Sequence, residues 1–156
     1  MGTTLFQMVI TVASGVIVFV ICQYLVIVLL QPIQRYKELK EKVSFYLVKY
    51  ANMYSNPINT NDRYEVVLES EYKEAKNKIR ELASEIRGYI EIMPTLRIGI
   101  PPKKNLQEAS SKLIFISNNM IYKTEMINVN RGILNSDYAL NVKSSLGIYI
   151  SKEAQN

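Results

Sequence analysis

Apolar side chains run almost unbroken from Leu5 to Leu30, LFQMVITVASGVIVFVICQYLVIVLL, and no charged residue occurs before Arg35. At about 1.5 Å of rise per helical residue the run extends roughly 39 Å, more than the roughly 30 Å of hydrocarbon in a bilayer. A cleavable signal would carry a basic leader and an apolar stretch of only about 7 to 15 residues. Neither is present, so the run reads as a retained transmembrane helix.

Beyond Gln31 the apolar positions thin out and become periodic. Tyr36, Leu39, Val43, Tyr46, Tyr50 and Met53 recur every three or four residues, while Lys37 with Glu41 and Glu38 with Lys42 decorate the opposite face. Pro32 suits the first turn of this second helix, and Pro57 disfavours helix at the preceding residue, so the helix ends near Asn56. Cap-type residues at Asn59–Asp62 precede a long stripe of Leu68, Tyr72, Ala75, Ile79, Leu82, Ile86, Tyr89 and Met93. The punctuated stretch MPTLRIGIPPKK, Met93–Lys104, reads as a loop. A further helix opens around Pro102 with Leu106, Ala109, Leu113, Ile116 and Met120 inward. NSD at Asn135–Asp137 offers a cap for a shorter one carrying Ala139, Val142 and Leu146, with Gly147 as its stop. TEMINVNRGIL and GIYISK leave room for extended pieces.

The pattern predicts a mainly α protein: one N-terminal transmembrane helix, with the anchor over 1–32, followed by a cytoplasmic antiparallel helical bundle over 33–156. About 115 residues suffice for one modest core.

The net charge is +5, and its placement matters more than its size. Nothing basic precedes the span, whereas Arg35, Lys37, Lys40, Lys42 and Lys49 follow it closely, so the positive-inside tendency puts the N-terminus outside and the bundle in the cytoplasm, at the inner membrane. The single cysteine, Cys22, lies within the span and histidine is absent, which removes an internal disulfide and the usual metal ligands. There is no phosphate-loop or dinucleotide fingerprint and no histidine base, so a non-enzymatic protein without cofactor or metal is expected. The carboxylates Glu81 and Glu85 read as solvated surface rather than as an acid/base pair.

Three groups of residues could do something beyond folding. In the span, Thr4, Gln7, Thr11 and Ser14, with Gly15 beside the last, share one helical face, a pattern that permits close helix approach and amide bonds between copies, or is incidental polarity. In the loop and helix start after Met93, Arg97, Lys103 and Lys104 form a basic group, with Arg87 and Lys112 as neighbours. Such a group fits a phosphate, an anionic lipid face or plain solvation. In YANMYSNP, Tyr50–Pro57, the tyrosines Tyr50 and Tyr54, with Tyr46 one turn earlier, belong to the core. Asn52 and Asn56 either join Ser117, Asn118 or Asn119 in a buried polar network or read a base edge.

The run QPIQRYKELKEKVSFYLVKYANMYSNP, Gln31–Pro57, the long helix after it, IFISNN at Ile114–Asn119 and SLGI at Ser145–Ile148 resemble small bacterial proteins with one span and a cytoplasmic helical bundle. Within that set the chain is similar to the cyclic-oligoadenylate-binding membrane effectors of type III CRISPR systems, over nearly its whole length. The resemblance implies a homo-oligomer in antiviral defence that binds a cyclic oligoadenylate, with cyclic tetra-adenylate the expected ring, and disrupts the bilayer through its associated spans. A tetramer would match four equivalent phosphates, and no long nucleic acid is implied as a partner. No binding motif carries over residue by residue. The candidates are therefore those whose chemistry suits phosphates and adenine: Arg97, Lys103, Lys104, Arg87, Lys112, Asn52, Asn56, Asn118 and Asn119. The other expectation is an anchored scaffold that docks a cytoplasmic protein through its bundle.

Overall fold

The computed structural model describes residues 2–59, 69–95, 97–122 and 130–148. The expected cap residues 60–62 and the stripe residue Leu68 lie outside the described residues, as do parts of TEMINVNRGIL and GIYISK. Helix α1 covers Gly2–Leu25, α2 Gln31–Lys49, α3 Ala51–Ser55, α4 Glu69–Glu91, α5 Lys103–Asn119 and α6 Arg131–Ser145, with short strands β1 at Ile58–Asn59 and β2 at Ile121–Tyr122. The protein is mainly helical.

Pro32 does not separate two helices. The helix is continuous over Thr3–Lys49, and it is long and apolar enough to cross a membrane, with a mean hydropathy of 2.6 in its apolar part. Val26–Leu30 widens into a π turn in which the Gln31 N–H bonds the Val26 carbonyl. Proline explains the widening: it has no N–H for the carbonyl four residues back, and its ring crowds that carbonyl. A π turn absorbs this strain locally without ending the helix.

The core lies entirely beyond this junction. Tyr36, Leu39, Val43, Leu47 and Tyr50 pack against Tyr72, Ala75, Ile79, Leu82, Ile86 and Tyr89, and against Leu106, Ala109, Leu113, Ile116, Met120, Ala139, Val142 and Leu146. Early α2 meets late α4 through the Tyr36 and Tyr89 rings, 6.0 Å apart, and late α2 meets early α4 where the Tyr50 hydroxyl donates to Glu74 at 3.2 Å. The buried hydroxyls of Ser110 and Ser117 donate to the α4 carbonyls of Ala83 and Lys76, at 2.9 and 3.1 Å. Small side chains let α5 approach α4 closely, and these bonds prevent a buried donor from going unsatisfied.

The cap expected at Asn135–Asp137 is not where α6 begins. The helix starts at Arg131, and the Asn130 side chain accepts from the Ile133 N–H. Asn135 is instead fully buried and donates to the Tyr54 carbonyl at 2.9 Å, and Ser136 bonds Ser55 at 3.0 Å. The same residue types that favour caps also make tertiary bonds, and here they pin α6 to α3. Gly147, at φ 58°, ends α6 as expected. The extended piece that is present, Ile121–Tyr122, lies before the two stretches where one was expected, and it pairs in parallel with Ile58–Asn59 in the register Ile58 to Ile121.

Candidate functional site

Contacts divide the bundle into two ends. At the end next to the apolar helix the Tyr89 hydroxyl donates to the Pro32 carbonyl at 3.1 Å, which fixes the close of α4 beside the start of α2. At the distal end Tyr72 donates to the Asn56 carbonyl at 2.7 Å, and the Ile58 N–H bonds the Met120 carbonyl at 3.0 Å. Helix α5 connects the two ends and spans roughly 24 Å.

The candidate ligand residues fall at different ends. Arg97, Lys103 and Lys104 are all exposed at the end next to the apolar helix. Arg87 lies below them; its Nε donates to the Ser110 hydroxyl at 3.1 Å, and it borders a cleft with Glu91, Gln107 and Ser111. Lys112 pairs with Glu108 at 2.7 Å, and the hydrogen bond from this ammonium holds the Glu108 carboxyl below its usual range. Asn52, Asn56, Asn118 and Asn119 lie at the distal end. A single chain therefore does not gather all nine into one site.

The amides do not form the buried network. Asn56 Nδ2 donates to the Asn52 carbonyl and to its Oδ1, at 2.9 and 2.8 Å, on an exposed face. Ser117 spends its hydroxyl on Lys76, and Asn118 Oδ1 accepts from the Arg80 guanidinium. The tyrosines do serve the core. Tyr50 and Tyr54 are buried, Tyr46 stacks on Tyr50 with ring centroids 5.8 Å apart, and Tyr54 donates to the Leu47 carbonyl at 3.1 Å. Burial pushes both the Tyr50 and the Tyr54 hydroxyl up from the ordinary phenol value.

Two arginines that the sequence did not single out lie against these groups, Arg80 reaching up from the middle of α4 and Arg131 at the start of α6. Arg80 holds Asn118, and the Arg131 guanidinium lies over the Tyr122 ring, 4.6 Å from its centroid. Arg131 and Tyr122 thus bring a guanidinium and an aromatic plane to the end that holds Asn52 and Asn56, while Arg80 reaches Asn118 from the middle of α4. Arg80 carries no periodicity signal of its own; only its partner on α5 marks it.

Other surfaces suit a polyanion less well. The groove of about 540 Å³ between α2 and α4 is lined by Glu38 and Glu85 as well as Arg35 and Lys42. Glu85 pairs there with Lys42 at 3.0 Å, and Glu81 pairs with Lys78 at 2.8 Å, so each carboxylate has its own lysine. Among the described residues no group of three or more His, Cys, Asp or Glu side chains could hold a metal.

In the apolar helix, Thr11 donates to the Gln7 carbonyl and Ser14 to the Thr11 carbonyl, both at 2.9 Å, so both hydroxyls are satisfied within their own helix. Gln7 and Gly15 share this exposed face.

Compared with known proteins, the chain matches no family model, no curated protein and no solved structure.

Proposed function

We propose that the chain is a non-enzymatic membrane effector whose bundle binds an anionic cyclic nucleotide, a cyclic oligoadenylate, at its distal face and passes the event to the bilayer through the continuous helix. The observation that carries this reading is the uninterrupted helix Thr3–Lys49. A flexible linker would let the two parts move independently, whereas a shared helix makes any rotation of the bundle a rotation of the apolar segment. The antiviral role and the ligand class rest on the resemblance of the sequence to cyclic-oligoadenylate-binding effectors.

In this reading the helices of the bundle run antiparallel, with α2, α4 and α5 alternating in direction. The basic residues that follow the span keep the bundle in the cytoplasm and the N-terminus outside, at the inner membrane. Arg80 and Arg131 meet phosphates, Asn52, Asn56, Asn118 and Asn119 meet adenine edges, and Tyr122 offers a stacking plane. Cyclic tetra-adenylate in a symmetric ring of four subunits would present one phosphate to each copy.

The test is calorimetric titration of the full chain in lipid nanodiscs with cyclic tetra-adenylate. Saturable binding is expected, weakened in Arg80→Ala and Asn118→Ala at unchanged helicity. Absence of binding by the parent chain would defeat the nucleotide reading. A second reading, a scaffold that docks a cytoplasmic protein, draws on the outward Phe45 and Val48 of α2, which are 59% and 65% exposed. Absence of cyclic-oligoadenylate binding by the parent chain, with a cytoplasmic protein crosslinking to the parent but not to Phe45→Asp, would favour this reading.

A further inference from the structure

The span-proximal end has a composition that folding does not require. The Ile92 side chain borders a cleft of about 250 Å³ together with Ile27, Gln31, Pro32, Arg35 and Tyr89. The end of α4 is thus level with the last turns of the apolar helix. From there the chain leads into residues 92–102, where Ile92 and Ile98 are 57% and 54% exposed although Ile100 is buried. Gly99, at φ 70°, makes the turn that separates outward Ile98 from inward Ile100.

The charge carried by the loop itself has one sign, although Glu91 precedes Ile92 and Glu38 and Glu85 share a groove with it. Between Glu91 and Glu108 the sequence contains Arg97, Lys103 and Lys104 and no acidic residue. All three are exposed, and Arg35 is on the neighbouring cleft wall. A dissolved anion would account for the cations but not for the outward isoleucines. Outward isoleucines in a loop whose only charged side chains are basic, starting where Ile92 meets the end of the apolar helix, match a bilayer interface, which has acyl chain below and anionic headgroup above.

We infer that the loop after α4 is a second membrane contact, in which Ile92 and Ile98 enter the interface of the leaflet facing the bundle while Arg97, Lys103 and Lys104 bind anionic lipid headgroups. This rests on the reading of the N-terminal helix as a span. It assigns the basic residues to lipid and leaves the distal face for the nucleotide. It also fixes the tilt of the bundle, since one helix and one loop hold it to the same surface.

The chain contains no tryptophan, so a single introduced indole reports its own depth. Ile98→Trp in the full chain would be reconstituted in vesicles of phosphatidylcholine, with and without phosphatidylglycerol, carrying brominated acyl chains. Ile17→Trp serves as the probe of the span, and Ile92→Trp as a second probe of the loop. Blue-shifted emission and bromine quenching of Ile98→Trp in the anionic vesicles are expected, with both reduced when Arg97, Lys103 and Lys104 are changed to glutamine. If Ile17→Trp is quenched while Ile98→Trp and Ile92→Trp emit as in water, the loop contact is wrong and the span stands. If Ile17→Trp is also unquenched, both fall. Equal quenching of Ile98→Trp in neutral and anionic vesicles, unaffected by the glutamine changes, would overturn the assignment to anionic headgroups.

Discussion

The Tyr36 hydroxyl, near the start of α2, donates to the Leu146 carbonyl at the close of α6 at 2.7 Å, joining residues 110 positions apart in the chain. Lys40 donates to the neighbouring Gly147 carbonyl. The helix that continues from the apolar segment is thereby tied to the last described helix of the bundle, where α6 ends and its carbonyls lack helical partners.

This bond carries a pH dependence. Burial, and then the neighbouring Tyr89 hydroxyl, push the Tyr36 hydroxyl up to about 12, whereas an unfolded tyrosine ionises near about 10. Between those values the unfolded chain binds fewer protons than the folded one, so stability is intact below about pH 10 and falls as pH rises through about 12. Burial raises Tyr54 and Tyr89 in the same direction. Denaturant unfolding of the detergent-solubilised chain should show this alkaline loss. Tyr36→Phe should reduce its slope and lower neutral-pH stability by about 1 to 3 kcal/mol, because the Leu146 carbonyl is left without its donor. An unchanged alkaline slope in Tyr36→Phe would show that other groups govern it.

Leu82 is 2% exposed in the middle of α4. Truncation to alanine removes buried methyl groups and leaves a void that helices held at both ends fill poorly. Leu82→Ala should cost about 2 to 5 kcal/mol, which exceeds the margin of many small domains. Near-ultraviolet circular dichroism and amide exchange should report loss of the bundle while the apolar helix keeps its far-ultraviolet signal. Melting indistinguishable from the parent would remove Leu82 from the core.

Two helical glycines should respond in opposite directions to the same change. A Cβ at Gly132 would sit 2.0 Å from the Ser55 carbonyl oxygen, whereas one at Gly88 would meet nothing within 4 Å. Gly88→Ala should therefore stabilise by about 1 kcal/mol, the ordinary propensity gain. Gly132→Ala should destabilise by about 1 to 3 kcal/mol, because α6 must move away from α3. Thermal melts of the two variants measured side by side check the pair, and a stabilised Gly132→Ala would show that α6 does not approach Ser55 so closely.

Gly132 also shows what the sequence could not convey. The apolar helix and the stripes from Tyr36 through Met120 were legible because burial there follows helical period, which a single sequence displays. Ser110 and Ser117 lie outside that apolar stripe yet are buried, because their hydroxyls bond α4 carbonyls and so offset the desolvation that burial imposes. Asn135 looked like a cap for the same chemical reason, a short side chain able to bond a backbone. Its true partner, the Tyr54 carbonyl, is 81 positions away. The candidate site was legible only in its residue types. That Arg97, Lys103 and Lys104 sit at one end and Asn52, Asn56, Asn118 and Asn119 at the other depends on which helix ends meet, and local pattern carries no information about that.

The polar face of the apolar helix separates into parts that should behave differently. Thr11 and Ser14 already donate to carbonyls of their own helix, so replacing them with alanine removes little that a second copy could use. The Gln7 amide has more hydrogen-bonding groups than a hydroxyl, and in hydrocarbon an amide gains by pairing with its counterpart on a neighbouring helix. If the spans associate through this face, Gln7→Leu should weaken association by about 0.6 kcal/mol or somewhat more per bond lost, roughly threefold in the equilibrium constant. Thr11→Ala with Ser14→Ala should shift it far less. Gly15→Leu should weaken it further by holding the backbones apart. Energy transfer between labelled full-length chains in vesicles, measured as a function of protein-to-lipid ratio, gives the association constant directly. Identical curves for the parent, Gln7→Leu and Gly15→Leu would mean that this face is incidental and that oligomers, where they form, are held by the bundle.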